Sequence, residues 1–128
     1  MIDWMPNASR NIVAFDLDGT LAQSIGNDYK DPAHIGPPIA PMVAALCKCL
    51  KAGYDVVIFT ARVDPQRPEY AAAATAAIKR WCLRHIGREF PVTAIKSFQM
   101  VAFYDDKAIQ IVPNTGKRVD GHDGEIPT

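Results

Sequence analysis

Apolar residues along the chain follow two kinds of pattern, which predict alternating strands and helices. The runs at 11–15 and 54–60 are almost uniformly apolar, which is typical of strands buried on both faces. Between these runs, and again from about 69 to 86, apolar residues recur at helical spacing, with prolines before each segment and a glycine after it. Further short strands are predicted near 92–95, 100–104 and 109–112.

Strands that alternate with helices predict parallel βαβ units. We therefore expect an α/β fold of three layers, Rossmann-like, with a central, mostly parallel sheet of about five strands. Helices are expected on both faces of that sheet. A chain of 128 residues fits a single domain. We expect residues 1–128 to form it, with a core over about 11–113 and a loosely held tail over 114–128.

The unusual polar residues of the chain come directly after the predicted strands. In chain order they are Asp16, Asp18, Thr60, Lys96, Asp105 and Asp106. Ligands of parallel sheets bind beyond the carboxyl ends of the strands, so we expect these side chains to meet at one edge. Carboxylates gathered in one place raise one another's pKa unless a cation compensates, and Mg²⁺ binds to few carboxylates. The sequence therefore predicts a magnesium site at this edge.

The motif Asp-x-Asp-Gly-Thr at 16–20, followed in order by Thr60, Lys96 and the pair Asp105-Asp106, resembles the haloacid dehalogenase (HAD) superfamily of phosphohydrolases. The resemblance covers roughly residues 11–113, nearly the whole predicted core. It implies hydrolysis of phosphate monoesters with Mg²⁺ as cofactor, through an aspartyl-phosphate intermediate.

The resemblance and the chemistry of the side chains agree on the reacting groups. Asp16 is the expected nucleophile, because a carboxylate can attack phosphorus and form an intermediate that water later cleaves. Asp18 is expected to protonate the leaving oxygen and then to deprotonate the attacking water. Mg²⁺ is expected on Asp16, on Asp105 and on the backbone carbonyl of Asp18. Asp106 is expected to orient water around the ion.

The remaining predicted site residues contact the phosphate. Thr60 offers a hydroxyl group and Lys96 a compact positive charge to its oxygens. Gly19 allows a sharp turn that brings backbone N–H groups close to the phosphate. Arg62 is expected to hold a distal phosphate or the leaving group, although a surface arginine would explain it nearly as well.

The substrate is less defined by the sequence. The segments after Leu21 and between Thr60 and Lys96 are too short for an inserted cap domain, so the chain resembles the capless subclass. The resemblance implies an open cleft that admits a macromolecular phosphate or is covered by a neighbouring subunit of a homo-oligomer. The positions of several Pro, Gly, Arg and aromatic residues are similar in layout to 3′-phosphatase domains of phage polynucleotide kinase-phosphatases, so a nucleotide or polynucleotide 3′-phosphate is the expected substrate.

One further feature bears on that substrate. Arg80, Arg84 and Arg88 form a predicted basic ridge that could meet a nucleic-acid backbone, and a solvated helix face explains the same spacing. The formal net charge of +0 gives no general attraction to nucleic acid or to a membrane surface.

Three other functions are compatible with parts of the pattern. A signalling receiver domain also gathers acidic residues, Thr and Lys, but it carries its phospho-accepting Asp on a later strand than its first acidic pair. A carbon–halogen hydrolase needs no acid for the leaving group, so Asp18 argues against it. A catalytically silent metal-binding protein is disfavoured because no member of the catalytic set is missing.

From the sequence we expect a cytoplasmic protein. The chain has no apolar run of membrane-spanning length, and its first residues lack the pattern of a signal peptide. Its cysteines are odd in number and lack zinc-ligand spacing, which is typical of reduced thiols: Cys47, Cys49 and Cys82.

Overall fold

A computed structural model describes residues 11–24, 26 and 30–126. The described chain contains four strands, two helices and a short 3₁₀ turn. The strands are β1 (Ile12–Phe15), β2 (Asp55–Phe59), β3 (Val92–Thr93) and β4 (Met100–Tyr104). The helices are α1 (Ala40–Lys51) and α2 (Pro68–His85), and the 3₁₀ turn is Ala61–Val63.

Prolines begin both helices. Each helix has a proline in its first two positions, where the missing N–H has no partner inside the helix to lose. After α1 the chain turns at Gly53, whose φ of 95° lies in the left-handed region that glycine adopts without strain. Basic residues occupy the last turn of each helix, where they face the negative end of the helix dipole. Both helices therefore lie within about two residues of their predicted positions.

The four strands form one parallel sheet in the order β3-β2-β1-β4. This confirms the α/β class and the parallel sheet. The predicted strand at 109–112 is not a strand of this sheet. Ile111 forms only a single antiparallel bridge with Arg118, within a hairpin that is closed by the N–H of Val119 and the carbonyl oxygen of Gln110 at 2.9 Å. The expected count of about five strands is not confirmed, and the looseness of the tail stays a prediction.

Both helices pack on one face of the sheet. That face carries Val13 and Phe15 of β1 and Val56 and Ile58 of β2, and the helices contribute Leu46, Ala74, Ile78, Trp81 and Cys82 to the same core. The opposite face holds a smaller cluster around Ala14, Val57 and Met100, to which no helix residue in the described ranges contributes. A second helical layer is therefore not confirmed, because only residues 94–99 connect β3 to β4 and they are too few for a crossover helix.

Two sequence-based expectations concern the helices and the cysteines. Neither of the helices in the described part of the chain is long and apolar enough to cross a membrane. The three cysteines are free, and Cys82 is buried in the core against the sheet, where burial raises its pKa to about 12 and keeps the thiol protonated.

Candidate active site

The loop after β1 is held in shape by a single carbonyl group. The carbonyl oxygen of Leu17 accepts the N–H groups of Thr20, Leu21 and Ala22 at 3.2, 3.0 and 2.9 Å. The side chains of Leu17 and Leu21 are fully buried in the helix-facing core. Anchoring these leucines leaves the alternate residues of the motif, Asp16 and Asp18, half-buried at the wall of a cavity.

Three carboxylates meet where β1 and β4 end. Oxygens of Asp16, Asp105 and Asp106 all lie within 4.8 Å of one another. The N–H of Asp16 donates to the carbonyl oxygen of Tyr104 at 2.9 Å, which fixes the two strand ends side by side. The hydroxyl of Thr20 lies 3.3 Å from Asp106 Oδ1 and 3.5 Å from Asp16 Oδ2, and it accepts the N–H of Asp106 at 3.1 Å. The structure thus brings together three of the four predicted metal ligands, and the role of the Asp18 carbonyl stays a prediction.

This crowding changes the chemistry of Asp16. Burial, the hydrogen bond with Asp106 and the charge of Asp105 together raise the pKa of Asp16 to about 7. Three acidic groups this close are electrostatically unfavourable when all are ionised. A divalent cation would relieve the repulsion and hold Asp16 in the ionised form that a nucleophile requires. The donor set, all carboxylate oxygen, suits Mg²⁺.

Gly19 makes the close approach of Asp106 possible. Its φ is 87°, and a Cβ at this position would lie 2.5 Å from Asp106 Oδ2. Its own N–H donates to the carbonyl oxygen of Ala22 at 2.7 Å. The predicted sharp turn is present, whereas this N–H already has a partner other than a phosphate. Gly19 shapes the carboxylate cluster through its missing side chain.

Arg62 forms an ion pair with the carboxylate of Asp18. Its Nε and Nη2 atoms donate to the two oxygens of Asp18 at 2.8 and 2.9 Å, in a bidentate pair whose arginine side chain is only 3% exposed. The guanidinium also donates to the carbonyl oxygens of Pro32 and His34 at 3.3 and 2.9 Å. Arg62 therefore connects Asp18 to the loop before α1 and also lines the cavity, and its expected contact with a distal phosphate or the leaving group stays a prediction.

Thr60 lies where it was predicted, at the end of β2 and at the cavity wall. Its hydroxyl oxygen accepts the N–H of Arg62 at 3.2 Å, which leaves the hydroxyl proton available to a ligand. The two side chains are both buried. Thr60 thus contributes both to the wall of the site and to the placement of Arg62.

The structure does not bring Lys96 into the cavity. Its ammonium lies 5.0 Å from the centre of the Phe103 ring, on the face of the sheet without helices. Its neighbours Ala94 and Ile95 do line the cavity, and so does Lys107, a cation that was not predicted. A cation–π contact at an exposed site is worth only about 0.5–1 kcal/mol, so a phosphate dianion can compete for this ammonium.

The cavity has a volume of about 780 Å³, far more than a phosphate group alone would need. Its wall includes four carboxylates, those of Asp16, Asp18, Asp64 and Asp105. The wall also includes aromatic, apolar and basic residues, namely Phe59, Pro65, Arg67, Tyr70 and Ile95. The Arg67 guanidinium lies 4.1 Å from the centre of the Tyr70 ring. The site can therefore hold a metabolite-sized group beside the carboxylates.

The sequence interpretation missed Thr20, Arg67 and Lys107. Thr20 is part of the Asp-x-Asp-Gly-Thr motif, so its position was a usable signal. Arg67 and Lys107 carry no signal, because an exposed basic residue in a polar loop is common.

The basic ridge lies away from the cavity. Tyr70, near the start of α2, lines the cavity, and Arg84 follows fourteen residues later in the same helix, which corresponds to about 21 Å along its axis. Arg88 lies over the ring of Phe90, beyond the end of α2. The ridge and the carboxylates therefore do not form one continuous site.

These observations define an α/β protein with a parallel sheet and an acidic site at the carboxyl ends of its strands. No known protein family's profile matches the chain, and no curated protein matches it. One solved structure, that of a conserved protein coded by a locus of Bacteroides thetaiotaomicron, is similar with a TM-score of 0.50 and 20% identity. The match covers 81% of this chain and 82% of that one. At this identity the likeness shows the fold alone.

Proposed function

We propose that the protein is a Mg²⁺-dependent phosphomonoesterase of the HAD superfamily that works through an aspartyl-phosphate intermediate. The observation that carries the proposal is the meeting of Asp16, Asp105 and Asp106 within 4.8 Å at the end of a cavity. Asp16 and Asp18 are both at the cavity wall, so a nucleophile and an acid–base group face the same space. These residues come from separate stretches of chain, which argues against a coincidental cluster.

The proposed reaction has two displacements. Asp18 enters the first displacement protonated, with its proton on a lone pair that Arg62 does not occupy. An oxygen of Asp16 attacks phosphorus, the bond from phosphorus to the leaving oxygen breaks, and Asp18 gives that oxygen its proton. A water molecule then attacks phosphorus, Asp18 takes its proton, and Asp16 is released with inorganic phosphate. Mg²⁺ held by Asp16 and Asp105 would screen the charge of the phosphate when bound.

Arg62 acts on Asp18 as a positioning residue. Each carboxylate oxygen has two lone pairs, and Arg62 occupies one on each oxygen of Asp18. The other lone pairs remain for the leaving oxygen or for water. Because the guanidinium is planar and donates through a fixed fork, it fixes the direction in which the carboxyl group of Asp18 faces.

Thr60 and Lys96 are proposed to contact the phosphate, in line with the HAD resemblance. The hydroxyl of Thr60 already lies at the cavity, whereas Lys96 reaches it by rotating its side chain away from Phe103. We propose a cytoplasmic location, where millimolar free Mg²⁺ and reduced cysteines are both expected.

For the substrate we propose a nucleotide or the 3′-phosphate end of a polynucleotide. The aromatic rings of Phe59 and Tyr70 and the guanidinium of Arg67 are the groups that stack on bases. A comparison of kcat/KM for a nucleoside 3′-monophosphate, a 3′-phosphorylated oligonucleotide and a sugar phosphate tests this. We expect both nucleic-acid substrates to exceed the sugar phosphate. A sugar phosphate turned over equally well would contradict the assignment without affecting the reaction type.

The reaction type is tested with p-nitrophenyl phosphate. We expect turnover with Mg²⁺, loss of turnover with a chelator and loss of turnover in Asp16→Asn. Asp31→Asn is the matched control, since Asp31 is an exposed carboxylate outside the cavity that accepts the N–H of Ala33 at 2.9 Å. Vanadate or beryllium fluoride with Mg²⁺ should raise the melting temperature, because both mimic phosphate at the attacked carboxylate. Full activity in Asp16→Asn would remove the nucleophile assignment.

A further inference from the structure

The exposed apolar side chains of the protein are concentrated in one stretch of chain. Eight of the twelve exposed large hydrophobic residues in the described ranges lie between Ile95 and Val112. They include three residues of β4, namely Val101, Phe103 and Tyr104. The exposed surface of the eight side chains together is on the order of 600 Å².

β4 differs from an ordinary edge strand. It borders β1 on one side only, and every residue after Met100 is exposed, so side chains on both faces of the sheet meet solvent in the described structure. Edge strands of monomers are usually short or interrupted by Pro or Lys. The opposite edge follows that rule, because β3 has two residues and Pro91 precedes it. β4 has five residues, and the segment from Ser97 to Tyr104 contains neither a charge nor a proline.

The geometry points to a homodimer in which β4 pairs with β4 of a second copy, antiparallel about a twofold axis. An uncharged strand meets itself without repulsion, and a twofold contact needs a surface that is complementary to itself. Pairing of the two edges places the exposed apolar side chains of β4 beside those of the second copy on both faces of the joined sheet. The pairing would join two four-stranded sheets into one. It would also satisfy the edge backbone groups of β4 that pair with no other strand in the described part of the chain.

Charge selects the antiparallel arrangement. Asp105 and Asp106 directly follow β4, so parallel pairing would place four carboxylates side by side. Antiparallel pairing places the two acidic pairs at opposite ends of the joined strands, separated by about 17 Å for five residues. Val101 is the extra residue of a bulge against β1, so the regular part of the edge is 102–104.

The experiment measures the mass of the full chain in solution by light scattering after size-exclusion chromatography. We expect twice the chain mass of 14.0 kDa at micromolar concentration. Val101→Lys places a charge on the proposed surface, at a side chain that is 42% exposed, and should yield the single-chain mass. Leu83→Lys is the matched control, since Leu83 is 53% exposed on α2, and it should remain dimeric.

Amide hydrogen exchange of the unaltered chain gives a second readout that does not depend on a variant folding. The β4 amides that point away from β1 should be protected in the dimer and should exchange fast on dilution. A single-chain mass at every concentration overturns the proposal, including the case in which residues 1–10 or another protein cover the strand. A dimer whose β4 amides exchange freely overturns it as well, because the contact then lies elsewhere.

Discussion

Asp16 and Asp18 are two residues apart, yet the fold gives their carboxylates opposite surroundings. Asp16 lies among acids and has a pKa raised to about 7, whereas Asp18 has an arginine on both of its oxygens. The first group therefore needs a cation from solution, and the second has one from the chain. The difference shows that a bound cation must ionise Asp16 before it can act as the proposed nucleophile, whereas the guanidinium of Arg62 orients Asp18 without a metal.

The largest expected effect comes from replacing Asp16, the proposed nucleophile. Asp16→Asn should lower kcat by at least about 10⁴-fold with p-nitrophenyl phosphate, because an amide oxygen is a poor nucleophile. The variant should still fold, since it removes a crowded charge. Steady-state kinetics with circular dichroism checks both parts, and a loss of less than tenfold would count against the assignment.

The second prediction concerns Arg62, whose guanidinium pairs with Asp18. Arg62→Ala leaves a half-buried carboxylate unpaired and frees two loop carbonyls, so it should lower the free energy of unfolding by about 3–5 kcal/mol. Arg67→Ala is the control. Arg67 lies over the ring of Tyr70, and its loss should cost about 1 kcal/mol or less. Urea unfolding measures both free energies of unfolding. Equal losses in the two variants would show that the pair of Arg62 with Asp18 contributes no more to stability than the contact of Arg67 with Tyr70.

Arg62→Lys sharpens the same point. It keeps the charge but loses the planar fork, so we expect kcat to fall by about tenfold or more while the protein stays folded. A positioning role predicts that the pH dependence of kcat changes as well. An unchanged kcat and pH profile would reduce Arg62 to a structural residue.

A pH series tests the other carboxylate. The folded-state pKa of Asp16 is about 7, above the unfolded value of 3.8, so folding binds a proton between these values. The free energy of unfolding without metal should therefore fall as the pH rises from about 4 to 7, by about 1–2 kcal/mol after solvent screening. Asp16→Asn should flatten this slope, and Mg²⁺ should stabilise the protein more at pH 8 than at pH 5. Parallel slopes in both proteins would assign the effect to other groups.

The smaller predictions concern the surroundings of the cluster. Gly19→Ala and Gly53→Ala both place a side chain at positive φ, which costs about 1–2 kcal/mol. Only at Gly19 would the new Cβ meet Asp106, whereas nothing lies within 4 Å at Gly53. We therefore expect Mg²⁺ affinity to fall by about tenfold or more in Gly19→Ala alone. Calorimetric titration measures this, and equal affinities would mean that Asp106 can move aside.

The smallest effects compare the two lysines near the cavity. Lys96→Ala should lower kcat/KM by about tenfold or more if its ammonium turns to the phosphate, as removal of one stabilising donor does. Lys107→Ala should change it only a few-fold, because its charge is exposed and screened by solvent. The reverse order would assign the phosphate contact to Lys107, which already lines the cavity.

Local patterns predicted the elements that depend on local physics. The prolines and periodicity predicted α2 at about 69–86, against the observed Pro68–His85, and the apolar run predicted β1. The segment 109–112 has an equally apolar pattern but only one bridge. Strand formation there needs a neighbouring strand, and no short pattern shows whether one is present.

Some contacts of the site were predictable from the sequence, and others were not. The convergence of Asp16 with Asp105 and Asp106 follows from parallel strands ending at one edge, so spacing alone indicated it. The partner of Arg62 did not follow, because a contact across forty-four residues depends on how the 3₁₀ turn packs under the loop. The direction of the Lys96 side chain could not be predicted from the sequence either, because it depends on the position of Phe103.

One side chain of α2 contacts the loop before α1. The indole N–H of Trp81 donates to the carbonyl oxygen of Gly36 at 3.0 Å, on the same loop whose Pro32 and His34 carbonyls accept from Arg62. Motion of that loop would alter the polarity around this indole. With Trp4 replaced by Phe, the emission of Trp81 becomes an optical reporter of ligand entry that needs no added dye.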